Sequence, residues 1–272
     1  MTRTKDISFD TSRKTLSSRT RSSFKKQAYR AVRALRRPKL GEEQAAKRLA
    51  FAQRYYQEPA SFSYKWIFSD ETTIARGEGE RQAWVFCKPQ DRLKPENVQP
   101  RGKPTRNSQM FWAGFSFNRR TSLTPLIGDP KAPRGGVSGR RIRECLEDNL
   151  PTIAEPGYTF AQDNASTHKA AIVQAWLGCW VEENEVSLVD WPAFSPDLNP
   201  IENAWKLLKE QVCKNHPELS DLPKNNDSKQ RLCEAAVEAC EELEDDTLNH
   251  LIESMPRRLK AVVEAKGWYT KY

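Results

Sequence analysis

The 272-residue chain is 38% hydrophobic and carries 8 Trp, 11 Phe and 7 Tyr, enough for a substantial core in one large domain or two small ones. No apolar run approaches the roughly 18 residues a membrane helix needs, and the opening MTRTKDISFD has no apolar stretch behind its charges, which excludes a secretory signal and predicts a soluble intracellular protein. The formal charge of +8 is uneven: residues 1–40 hold 13 Lys/Arg against 2 Asp/Glu, while the remainder is net −3, so the basicity belongs to an arm suited to a polyanion or to a solvated tail.

Residues 1–23 are rich in Ser, Thr and Arg and favour disorder in isolation. From Phe24 to Arg37, apolar Phe24, Ala28, Ala31, Val32 and Leu35 recur at helical spacing between basic residues, predicting a short basic helical arm that Pro38 ends. A second helix follows from Glu42 to Tyr56. Tyr64 to Asp70 (YKWIFSD), Trp84 to Phe86 and Met110 to Phe117 read as three strands, with a loop full of Pro and Lys/Arg before the third. Ser138 caps a helix to about Leu150, Tyr158 to Asp163 is a fourth strand, Ala170 to Cys179 a helix, and Val186 to Val189 a fifth strand. Pro200 opens a helix to about Cys213, and two more, around 228–243 and 246–265, finish the chain. Three strands, helix, strand, helix, strand, helix is the order of an α/β, ribonuclease H-like fold, a mixed five-stranded sheet flanked by helices. Cys87, Cys145, Cys179, Cys213, Cys233 and Cys240 show no close zinc-type pairing and read as reduced, mostly buried thiols.

Three acidic residues stand out by position. Asp70 ends the first strand, Asp163 ends the fourth, and Glu202 lies in the first turn of the helix after SPDLNP. Neighbouring first and fourth strands would bring both aspartates out at one sheet edge. In the helix above it, Ile201, Ala204, Trp205, Leu208 and Val212 form the buried stripe and Glu202 flanks it. Converging carboxylates repel and raise one another's pKa until cations neutralise them, and all-oxygen ligands select Mg²⁺ or Mn²⁺. Two such ions about 4 Å apart serve in-line phosphoryl displacement. Taken singly, the aspartates also fit strand-end turns, and Glu202 fits a capping-box partner of Asn199.

The segments FSDET (68–72), FAQDNASTH (160–168), DWPAFSPDLNPIENAWKLLKE (190–210) and SMPRRLKAVVEAKG (254–267) resemble the signature blocks of Tc/mariner transposases, from about Pro38 to Tyr272. The SPDLNPIENAW run is the specific part. The resemblance implies a basic arm over 1–58, the remnant of a helix-turn-helix DNA-binding region and linker helix, and a DDE-type catalytic domain over 59–272. It places a catalytic, metal-binding triad on Asp70, Asp163 and Glu202, holding two divalent ions, Mg²⁺ or Mn²⁺, with Asn164 and His168 in support. The implied chemistry is cleavage of double-stranded DNA at transposon ends and strand transfer into target DNA, typically at a TA dinucleotide. A homodimer, a nuclear location, no membrane and no nucleotide cofactor go with it. The 38 residues between Asp163 and Glu202 exceed the spacing of the best-known members. A catalytically inactive or truncated transposase-derived DNA-binding protein is the alternative, since only about forty residues precede the catalytic region.

Three basic regions read as DNA contacts: Lys25, Lys26, Arg30, Arg33, Arg36 and Arg37 in the arm, Arg101, Lys103 and Arg106 in the Pro-rich loop, and Arg140 and Arg141 further on. Such contacts position a duplex without reading its sequence. Trp66, Trp112 and Trp205 sit in periodic apolar patterns and read as core.

Overall fold

Switches between a period of two and a period of 3.6 in the hydrophobic pattern carry through into the elements of the computed structural model, which describes residues 30–33, 35–36, 39–75, 84–92, 98–99, 108–133, 135–223 and 225–272. Arg30–Arg33 (β1) and Leu35–Arg36 (β2) are extended, Glu42–Tyr55 is helix α1 and Trp66–Ala75 is the long strand β3. Trp84–Cys87 (β4), Val98–Gln99 (β5), Ser108–Ser116 (β6), Arg119–Arg120 (β7) and Thr124–Leu126 (β8) follow. Then come Gly139–Ile153 (α2), Thr159–Ala161 (β9), Ala171–Glu183 (α3) and Ser187–Leu188 (β10). Four helices end the chain: Ile201–Asn215 (α4), Asn226–Glu241 (α5), Asp245–Ile252 (α6) and Met255–Glu264 (α7).

The main sheet runs β10-β9-β3-β6-β7, with β8 also on β6. The β3–β6 pair is antiparallel, whereas β9 is parallel to both β3 and β10, which makes the mixed, ribonuclease H-like sheet. Alternation along β3 feeds two cores. Trp66, Phe68 and Ile74 join Phe51, Trp191, Ile201, Ala204 and Trp205 on one face, while Ile67 joins Trp112, Ile142, Leu146, Phe160 and Val173 on the other. Helices α1 and α4–α7 cover the first face, and α2 and α3 the second.

Four expectations need correction. The basic arm is extended, not helical, at 30–33 and 35–36: β1 pairs antiparallel with β4, Arg30 opposite Cys87, and β2 pairs with β5. A long-range ladder there outweighs a local helical spacing. The rest of that arm, 24–29, 34 and 37–38, lies outside the described residues. As β4 is engaged with β1, residues 84–86 do not enter the main sheet, and the place beside β6 is taken by β7 and β8, short strands that no apolar run marks. An apolar run marks a strand but not its partner. The last helix is two, α6 and α7, with Pro256 in the first turn of α7, where a missing N–H costs nothing. Of the six thiols only Cys87 and Cys145 are buried. Among the described residues no helix is long and apolar enough to cross a membrane.

One buried ion pair fastens the helices over β3. Arg48 of α1 and Asp197 of the SPDLNP loop are both buried, and the guanidinium meets the carboxylate through two bonds of 2.7 Å. Its other N–H groups reach the carbonyls of Gly267 at 2.8 Å, Phe194 at 3.2 Å and Trp268 at 3.4 Å, so all five donors have partners. Thr270 Oγ1 donates to Asp197 Oδ2, and Arg258 of α7 donates to the Asp197 carbonyl and to Asn203 Oδ1. Gly267 fits because its φ is +84° and a Cβ would lie 1.9 Å from the Ala45 carbonyl.

Removing one member of a buried pair strands the other charge. Arg48→Ala and Asp197→Ala are each expected to destabilise the fold by about 3–5 kcal/mol in urea unfolding. A loss under about 1 kcal/mol would mean the pair is solvated rather than buried.

Candidate active site

The parallel register of β3 and β9 brings two aspartates together. Phe68 pairs with Ala161, so two residues further on Asp70 comes level with Asp163. Asp70 does not end its strand as expected. β3 continues to Ala75 against β6 alone, and Asp70 sits where its parallel neighbour stops. By alternation Asp70 shares the face of Phe68 and Ile74, the face that α4 covers.

Helix α4 starts at the same rim because Asn199 staples it there. Asn199 Nδ2 donates to the Ser69 carbonyl at 3.1 Å, and its Oδ1 accepts from the Ile201 amide at 3.3 Å. The Glu202 amide in turn donates to the Asn199 carbonyl at 3.3 Å, which sets the first turn of α4 over the cleft. Asp70, Asp163 and Glu202 line one cleft of about 290 Å³, walled by Asn164, Ala165 and the loop from Trp191 to Pro196.

Burial raises the Asp70 pKa well above the ordinary carboxylate range, and the charges of Glu202, Glu71 and Asp163 raise it further. Burial also pushes Asp163 up, but the bond to His168, the Ala165 amide at 2.8 Å and the His168 charge bring its pKa below 3.8 overall. Adjacent carboxylates are therefore biased in opposite directions.

The difference traces to His168, which is buried between two acids. Its Nδ1 is 2.7 Å from Asp163 Oδ1, and its Nε2 is 2.9 Å from Glu71 Oε1. Burial lowers the imidazole's pKa, but the bonds to Asp163 and Glu71 and their charges outweigh it, giving about 10. Glu71 alternates to the face opposite Asp70, so the His168 bridge passes behind the rim. FSDET shows Glu71 openly, and the only sequence signal for its role is that it is the next carboxylate on the strand. Asn164 does not touch Asp163 through its side chain: Nδ2 donates to the Trp191 carbonyl at 2.6 Å and holds the cleft wall.

Among the described residues no three His, Cys, Asp or Glu side chains are gathered as a ready ligand set. The three carboxylates line the wall of a cleft instead.

Of the expected DNA contacts, only Arg140 and Arg141 have described side chains. Lys25, Lys26, Arg37, Arg101, Lys103 and Arg106 lie outside the described residues, and Arg30, Arg33 and Arg36 are described in backbone only. Arg140 pairs with Asp129 at 3.6 Å and Arg141 with Glu144 at 2.7 Å, and neither lines the cleft. Sequence reading missed a second groove of about 510 Å³ that shares Asn164 and Trp191–Ala193 with the cleft. Lys47, Arg54 and Lys169 line it, with Asp190 as the opposing charge.

Residues 65–223 match the family described as DDE superfamily endonuclease. The chain is 29% identical over 251 residues to the transposable element Tc1 transposase of Caenorhabditis elegans, covering 88% of this chain and 81% of that protein. It is 31% identical over 214 residues to the Tcb1 transposase of Caenorhabditis briggsae, covering 76% and 70%. Its fold is similar to the crystal structure of the Mos1 mariner paired end complex with Mn, with a TM-score of 0.61, 17% identity, and coverage of 94% of this chain and 72% of that one.

In the metal-free protein the His168 imidazole is expected to titrate near pH 10 rather than 6.5. Because the folded value is raised, its contribution to stability is complete below pH 6.5 and is lost as pH rises through about 10. Histidine NMR of the wild type and of Glu71→Gln checks this, the substitution moving the titration downward. A His168 midpoint near 6.5 would show that the bridge does not hold in solution.

Proposed function

The chain belongs to the DDE superfamily endonuclease family as a Tc/mariner transposase, and we propose that Asp70, Asp163 and Glu202 hold two divalent ions with which it cuts DNA at transposon ends. The observation that carries the reading is the level placement of Asp70 and Asp163 under the start of α4, close enough for Glu202 and Asp163 both to raise the Asp70 pKa. An all-carboxylate, partly buried, charge-frustrated set fits hard cations such as Mg²⁺ or Mn²⁺, and the manganese named with the Mos1 complex supports the same preference. When bound, such ions lower the pKa of water and neutralise charge on the leaving oxygen.

The chain's own residues do the rest. His168 and the Ala165 amide hold Asp163 ionised and aimed. Asn199 fixes the start of α4 on β3 and Arg258 grips Asn203, one residue after Glu202, so this carboxylate stays over the rim. Asn164 keeps the Trp191 wall in place. Lys47, Arg54 and Lys169 beside the cleft suit the phosphates of the strand entering it, positioning DNA without reading its sequence. Hydrolysis frees a 3′-hydroxyl, which then attacks a phosphodiester of target DNA, joining to its phosphorus while the target's own 3′-oxygen leaves and takes up a proton. Joining two ends calls for a homodimer, and a DNA substrate together with the basic run RALRRPK (33–39) for a nuclear location.

With Mn²⁺ or Mg²⁺ the chain is expected to nick supercoiled plasmid, and Asp163→Ala to slow nicking by at least about a hundredfold. Equal nicking by the variant, or metal binding unchanged in a titration of Asp70→Asn, would remove the triad from the reaction.

A further inference from the structure

Phe194 is at odds with its surroundings in two ways. The residue is 50% exposed, and its backbone φ is +57°, a conformation disfavoured for any residue with a Cβ and an outlier for a bulky one. A single exposed aromatic is ordinary on a protein surface. An exposed aromatic held in the left-handed region is not, because glycine would sit there without strain.

The strained backbone is fixed firmly. The Phe194 carbonyl accepts a bond from Arg48 at 3.2 Å, and that guanidinium is buried and locked to Asp197. The loop closes through the Leu198 amide to the Ser195 carbonyl at 3.1 Å. The ring therefore stands on a rigid platform at the wall of the cleft that Asp70, Asp163 and Glu202 line. Along the same wall, past Ala193 and Trp191, lies the groove with Arg54, Lys169 and Lys47, the last paired with Glu43 at 2.7 Å.

We propose that Phe194 is a stacking platform for one unpaired nucleobase at the cleft, the cationic groove taking the phosphates of the same strand. A ligand with negative charge at regular intervals and an aromatic face between the charges suits both features, and nucleic acid is that chemistry. Stacking on an aromatic tolerates any base, because every base has a π face. The inference rests on the reading of the cleft as a DNA site, and its test is separate from cleavage.

The test measures binding of the whole chain, in EDTA, to a fluorescein-labelled oligothymidine strand and to an equally long strand of abasic sites. Phe194→Gly keeps the left-handed backbone while deleting the ring, and Phe194→Trp keeps a π face. Thermal unfolding verifies that both variants remain folded. The glycine variant is expected to bind oligothymidine about tenfold more weakly and the abasic strand as wild type does, with the tryptophan variant retaining wild-type affinity for both. Equal affinity of wild type and Phe194→Gly for oligothymidine, or equal losses on both strands, would overturn the proposal. Base-dependent binding without metal-dependent nicking would uphold this inference and remove the catalytic one. Nicking without base-dependent binding would remove this inference alone.

Discussion

The bidentate contact between Arg48 and Asp197 ties three distant stretches of chain to one point. A guanidinium out of water is tolerable only when every donor has a partner, and here those partners come from the SPDLNP loop and from Gly267 and Trp268 after α7. The pair therefore sets the position of α1, the loop and the C-terminal turn relative to one another. Since that loop leads directly into α4, the same contact sets where Glu202 begins its approach to β3. Arg258 adds a second grip on Asp197 and Asn203 from α7. Two of the signature segments, SPDLNPIEN and SMPRRLK, meet through these bonds.

Within that frame the cleft is built on charge in tension. Three carboxylates share a rim, and burial together with mutual repulsion holds Asp70 toward its neutral form. Asp163 escapes because His168, itself clamped by Glu71, supplies positive charge from behind. Opposite biases on adjacent acids leave the rim with an electrostatic deficit that a divalent cation would fill. Lys47, Arg54 and Lys169 stand aside from it, in the neighbouring groove, where they leave the carboxylates of the cleft available.

Asp163 and Glu202 were legible because they fall just past the end of β9 and in the first turn of α4, where side chains leave the core, whereas Asp70 was read as a strand end and lies mid-strand in β3. Glu71 was less legible. It is plain in FSDET, but its partner His168 lies 97 positions away, and nothing in local spacing pairs the two. The groove of Lys47, Arg54 and Lys169 was invisible for the same reason: its cations come from α1 and from the loop before α3, each ordinary in its own segment. The arm misled in the other direction, since Ala31, Val32 and Leu35 fit a helical face as well as a strand, and only β4 and β5 as partners decide for the strand.

The sequence by itself determined the α/β class, the place of most helices and of the core strands β3 and β6, and the buried stripe of α4. Those are consequences of residue type and of periods shorter than a few turns, which local chain geometry enforces wherever the segment sits. The tertiary structure alone decided which strands pair, that Asp70 lies mid-strand beside the end of β9, that Glu71 and His168 stand behind Asp163, and that Phe194 is held in a left-handed turn by an arginine 146 residues before it in sequence. Each of these depends on contacts between segments remote in sequence, where packing and charge compensation, not local preference, select the arrangement.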